Sequence, residues 1–146
     1  MGLDMYLKAE RYLSNYNAEA KQIKDAINGV IDGPGFLPVN VIVAEAIYWR
    51  KANAIHSWFV ENCQNGVDEC QRTYVSREDL QTLMELCLEV IKTQNPVLME
   101  TKSGFFFGST DYDEYYYSEL ERTADELKKI LSEEYNMWEF YYQSRW

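Results

Sequence analysis

The side chains best suited to nucleophilic or metal chemistry are one histidine, His56, and three cysteines, Cys63, Cys70 and Cys87. On a shared helix, His56 and Cys63 stand about 10.5 Å apart along the axis, beyond the reach of a nucleophile–base hydrogen bond. A zinc reading through His56, Cys63 and Cys70 lacks the closely spaced ligand pairs that such sites use, since neither C-x-x-C nor H-x-x-x-H occurs. His56 therefore reads as a core-flanking residue beside Trp49, and the thiols as small apolar side chains. No catalytic residue, metal or cofactor is assigned, and binding rather than turnover is the expected mode.

Asp111, Asp113 and Glu114 concentrate negative charge, but they lack the further oxygen ligands and the glycine of a calcium loop. At the start of a helix the same carboxylates stabilise the positive end of its dipole. The preceding stretch Gly104-Phe105-Phe106-Phe107-Gly108-Ser109-Thr110 has glycines and hydroxyls near a helix start, yet matches neither phosphate-loop fingerprint, and the acids after it repel anions. Charge is uneven along the chain: residues 1–73 carry 7 basic and 9 acidic side chains, residues 74–146 carry 7 and 15. Carboxylates at helical spacing in the second half, Glu119, Glu126 and Glu133 together with Asp111, Asp113 and Glu114, form an array suited to a basic nucleic-acid-binding groove. They are the expected partner-binding residues. The alternative is a small-molecule or nucleotide-binding module, or a small enzyme, with an aromatic pocket of Trp49, His56, Phe105 and Tyr115 and with Arg50 meeting a phosphate.

These residues need elements to position them. Alternation of Leu3, Met5 and Leu7 with Asp4, Tyr6 and Lys8 predicts a strand over 4–12. Ala20, Ile23 and Ile27 predict a helix from Asn17 to Asn28. A break at Asp32-Gly33-Pro34-Gly35 leads to an extended Phe36–Val43. Ala44, Tyr48, Ala52, Ile55, Phe59 and Cys63 form one stripe, predicting a helix over 44–64 that Asn65-Gly66 ends. Another helix begins behind Ser76, with Glu78 and Asp79 in its first turn and Leu80, Leu83, Cys87, Val90 and Ile91 as its core face, and stops at Asn95-Pro96. Val97–Met99 and Phe105–Phe107 read as a hairpin or two short strands. A third main helix runs from Thr110 to Glu134 with Tyr116, Leu120, Ala124, Leu127 and Leu131 inward. The β-formers of Met137–Tyr142 are expected to pair with the first strand. The fold class is α+β, a single domain over 1–146, with about three main helices against a small, mainly antiparallel sheet.

The 146 residues are 47% hydrophobic and 26% charged, which excludes disordered and collagen-like chains. A net charge of −10 argues against direct nucleic-acid binding, whose affinity comes from displacing cations from phosphates. Three cysteines, no apolar run of about 18 residues and an opening Met1–Tyr6 without a signal-peptide pattern point to the cytoplasm and away from the membrane. Aromatics at 15% suit an interface, and a homodimer is expected through Trp138–Trp146 or Phe105–Phe107.

Four blocks carry a resemblance. They are Met1-Gly2-Leu3-Asp4-Met5-Tyr6-Leu7, Tyr48-Trp49-Arg50-Lys51-Ala52-Asn53-Ala54-Ile55-His56 with Trp58-Phe59-Val60, Ser103–Tyr115, and Glu139–Ser144. On these the chain resembles a family of small phage and prophage proteins without an established activity, residues 13–43 excepted. The resemblance implies a phage context and carries no catalytic residue over. Some small acidic phage proteins, certain anti-CRISPR proteins among them, imitate DNA to disarm host defences. The expected partner is accordingly a host protein such as a CRISPR effector or another nucleic-acid-binding protein.

Overall fold

The computed structural model describes residues 2–30 and 39–146. The break at Asp32-Gly33-Pro34-Gly35 and positions 36–38 of the expected extended segment lie outside the described residues. The first strand, β1 (Asp4–Tyr12), sends Met5, Leu7 and Ala9 into the core and Asp4, Tyr6, Lys8 and Glu10 to the other face, as the alternation predicts. Helix α1 (Ala18–Asn28) follows, with Asn17 accepting a hydrogen bond from the Ala20 amide at 3.0 Å. Its cap satisfies an amide that the first turn leaves free.

Next comes β2 (Val41–Arg50), antiparallel to β1, from Asp4 opposite Arg50 to Tyr12 opposite Val41. This corrects the first part of the helix expected over 44–64. Ile47 and Trp49 are buried while Tyr48 and Arg50 are exposed, the period of a strand. β1 supplies ladder partners that outweigh the helical spacing of Ala44 and Tyr48. Ile47 faces Leu7 and Glu45 faces Lys8, so Ala46 is an extra residue, a bulge in the edge strand. Lys51, at φ 55°, turns the chain into α2 (Asn53–Cys63), which buries Ile55, His56, Phe59 and Val60. Asn65 (φ 55°) and Gly66 (φ 74°) end α2 in the left-handed conformation, as Asn65-Gly66 predicts.

After a three-residue strand, β3 (Thr73–Val75), Ser76 opens α3 (Arg77–Thr93) with a capping box. Its hydroxyl accepts from the Asp79 amide while the Asp79 carboxylate accepts from the Ser76 amide. The expected strands at Val97–Met99 and Phe105–Phe107 are not formed. Pro96–Met99 is a short 3-10 helix behind the Asn95 cap, and the Phe107 amide donates to the Gly104 carbonyl in a turn. Pro96 has no amide to give a sheet, and in the second triplet the Phe107 amide is used by the turn while the Phe106 carbonyl accepts from the Leu3 amide. Helix α4 (Glu114–Ile130), behind its Asp113 cap, starts at Glu114, four residues later than expected, and ends before the short 3-10 helix Glu133–Tyr135.

Strand β4 (Glu139–Arg145) closes the sheet in the order β2-β1-β4-β3, antiparallel throughout, and its pairing with β1 is the one expected. The fold is α+β. Helices α3 and α4 pack on each other, and α4 also meets β2. The core runs between sheet and helices. Phe59 stacks on Tyr142 at 4.0 Å between ring centroids, and Trp49 donates from Nε1 to Thr123 Oγ1 at 2.8 Å.

Burial leaves a titration signature. Desolvation pushes the Tyr142 hydroxyl well above its ordinary value and the Cys63 and Cys87 thiols up to about 12. A tyrosine held protonated in the fold but free to ionise near pH 10 when unfolded gives full stability below pH 10 and loses it as pH rises further. Tyr142 contributes to this loss above pH 10, and the thiols add to it from about pH 9. Denaturant midpoints measured from pH 8 to 11 should fall steadily, and Tyr142→Phe should flatten the fall above pH 10. A midpoint that stays level to pH 11 contradicts this account.

Candidate functional site

The outer surfaces of α3 and α4 carry matching acidic stripes. Glu78, Glu85 and Glu89 on α3 recur at i, i+7 and i+11, and Glu114, Glu121 and Asp125 repeat that spacing on α4. Such spacing keeps three side chains on one helical face over about 16.5 Å. All six residues are exposed, and none enters an ion pair among the described residues. Their charge is available to a partner.

The six acids expected to bind a partner divide. Glu114 lies on the α4 stripe, and Asp111 and Glu133 are exposed near the two ends of that helix. Asp113, also exposed, is engaged as its cap, accepting from the Tyr116 amide at 3.1 Å. Glu119 and Glu126 sit on the flank of α4, paired with Arg122 at 2.7 Å and Lys129 at 3.4 Å. Arg122 also donates to the Tyr48 carbonyl at 2.9 Å, so Glu119 helps fasten α4 to β2. The other five carboxylates of the two stripes, Glu78, Glu85, Glu89, Glu121 and Asp125, were not among the six expected. Heptad-like spacing was the available signal for them, but sequence alone cannot tell which carboxylates find intramolecular cations.

The residues of the expected aromatic pocket do not converge. Trp49 is sealed in the core, whereas Phe105 is 95% exposed at the tip of the 104–107 turn. Arg50 pairs with Asp4 at 3.2 Å, and its carbonyl accepts from the Tyr115 hydroxyl. Phe105 meets Phe106 edge to face at 4.8 Å, and Phe106 lies 6.4 Å from Trp146. The two segments expected to make a dimer contact thus form one aromatic cluster.

His56 is buried between two partners. Nδ1 is 2.6 Å from the Tyr142 hydroxyl and Nε2 is 2.9 Å from Asp68 Oδ2. A carboxylate can only accept, so Nε2 carries a proton; in the neutral tautomer Nδ1 then accepts from the Tyr142 hydroxyl. Trp146 donates from Nε1 to the other Asp68 oxygen at 3.2 Å, and the Phe107 ring stands edge-on to the imidazole at 5.1 Å. Asp68 and Tyr142 were not foreseen as its partners. They lie 12 and 86 residues away, with no local pattern to mark them. Tyr142 is fully buried, so the triad joins α2, the 64–72 loop and β4 rather than presenting a nucleophile.

A cavity of about 320 Å³ opens between the start of α2 and the start of α4. Ala52, Ile55 and Leu120 give it an apolar lining, and Lys51, Asp111, Asp113 and Glu119 line it with charge. Asn53 builds one wall: its Nδ2 donates to the Phe107 and Ser109 carbonyls at 3.0 and 2.8 Å, and its Oδ1 accepts from the Lys102 amide at 3.0 Å. Tyr115 is the sole member of the expected aromatic pocket that lines this cavity.

Among the described residues no group of three or more His, Cys, Asp or Glu side chains is placed to hold a metal ion, and no helix is long and apolar enough to cross a membrane. No family model matches the chain, and neither curated proteins nor solved structures provide a match.

Proposed function

We propose that the protein is a small acidic accessory protein of phage type that works in the host cytoplasm by binding a host defence factor. The outer faces of α3 and α4 cover a basic nucleic-acid-binding surface on that factor, with a CRISPR effector as the leading example. The observation that supports this reading is the pair of acidic stripes, six exposed carboxylates with no intramolecular cation among the described residues. Carboxylates repeated along two packed helices offer a basic groove what a nucleic-acid backbone offers, a regular array of negative charge. Such a surface acts by occupancy and needs no catalytic group.

Binding to a purified CRISPR effector should weaken at least tenfold between 50 and 300 mM salt on an order-of-magnitude scale, because exposed charges are screened over a Debye length of about 8–10 Å. Glu85→Lys, Glu89→Lys, Glu121→Lys and Asp125→Lys combined should abolish the complex, while Glu119→Gln, at an internally paired position, should leave it nearly intact. Calorimetric titration at two salt concentrations reads both. Affinity independent of salt, or a complex that survives the fourfold reversal, rules the electrostatic mechanism out. If no effector binds, pull-down from infected cells should return another nucleic-acid-binding protein sensitive to the same reversal.

A further inference from the structure

We propose that the cavity between α2 and α4 binds a small zwitterion of amino-acid type, with its carboxylate at Lys51 and its ammonium toward the lining acids Asp111, Asp113 and Glu119. The volume of about 320 Å³ lies in the range of small-molecule sites. Its charge layout is the informative feature. A lysine and three carboxylates line one cavity, yet among the described residues Lys51 makes no ion pair with any of them. The Lys51 ammonium therefore stands more than 4 Å from each of these carboxylates, and neither charge is neutralised by the other.

Backbone and neighbours fix the course of the Lys51 stem. Lys51 adopts φ 55°, a conformation that non-glycine residues rarely take. Its stem runs between two glycines. A Cβ added at Gly2 would lie 3.0 Å from Lys51 Cε, and one at Gly108, itself at φ +83°, would lie 3.1 Å from Lys51 Cβ and Cδ. Of the three lining acids, Asp113 is tied to the Tyr116 amide and Glu119 to Arg122, while the Asp111 carboxylate has no partner among the described residues. A lone anion meets the field of a chain with net charge −10, and a lone cation meets Lys51. A molecule that carries both charges satisfies both Lys51 and the acids without adding net charge, and Ala52, Ile55 and Leu120 accept an apolar side chain.

Titration calorimetry of the full chain with glycine, leucine and phenylalanine, each beside its amide and its N-acetyl derivative, tests the assignment. At least one free amino acid should bind, with both of its singly charged derivatives at least tenfold weaker. Lys51→Met, which keeps the stem and removes the charge, should reduce the free amino acid's affinity at least tenfold and erase its advantage over the amide. Asp111→Asn should erase the advantage over the N-acetyl form. The proposal is overturned if no free amino acid binds, if the derivatives bind as well as the parent, or if both folded variants keep wild-type affinity. The acidic stripes of α3 and α4 are untouched by these changes, so binding to the host factor is a separate readout.

Discussion

His56→Ala is expected to lower the free energy of unfolding by about 3–5 kcal/mol, a size typical of emptying a core position and orphaning buried polar groups together. The imidazole lies between Phe107, 5.1 Å away, and Tyr142, and its relative exposure is 1%. Removing it opens a void there and leaves the fully buried Tyr142 hydroxyl without its acceptor. Tyr142→Phe takes away the donor alone and strands Nδ1, a loss of about 1–3 kcal/mol. Asp68→Asn keeps an acceptor for Nε2 at a position that solvent reaches, so its effect should be the smallest of the three. Because His56 and Tyr142 share one hydrogen bond, their double variant should lose less than the two single losses added. Urea unfolding at neutral pH measures all four. A His56→Ala protein within 1 kcal/mol of wild type on this order-of-magnitude scale would show that the triad does not tie the core together.

Trp49→Ala should be comparably damaging, by about 3–5 kcal/mol. The indole is fully buried, tilts against Phe59 at 5.8 Å between centroids, and hydrogen-bonds Thr123 on α4. It is the buried side chain of β2 that bonds to α4, beside the surface bonds from Arg122 and Tyr115 to β2 carbonyls. Thr123→Val isolates the polar part: the ring stays packed, its N–H is left unpaired, and about 1–3 kcal/mol is lost. The same experiment separates a core tryptophan from one that lines a ligand pocket, because a pocket tryptophan truncates with little loss of stability. Unchanged urea midpoints for Trp49→Ala would place the indole outside the core and reopen the aromatic-pocket reading.

Some of this architecture was legible without coordinates. The alternation of Leu3, Met5 and Leu7 defined β1, the Ser76 cap and the apolar stripe behind it defined α3, and the inward row from Tyr116 to Leu127 defined most of α4. Each signal is contained within one element, where side-chain period and capping chemistry act over a few residues. The pairing of β4 with β1 was also anticipated, since an aromatic-rich segment at the end of the chain needed a sheet to join. Charge asymmetry told which half of the chain is acidic.

The remainder depended on partners distant in sequence. Ala44–Arg50 fits a helical stripe as well as a strand, and the ladder with β1, bulge at Ala46 included, decided between them. β3 is three residues long and has no period of its own; Tyr142, Tyr141 and Phe140 across the ladder define it. Which carboxylates stay free was settled by where Arg122 and Lys129 fold back, and which polar groups hold His56 was settled by bringing Asp68 and Tyr142 to opposite sides of one ring. Local periodicity shows that a side chain points inward or outward. Only long-range packing shows what it meets there, because the entropy of closing 12- and 86-residue separations is repaid by the whole core and by no motif within it.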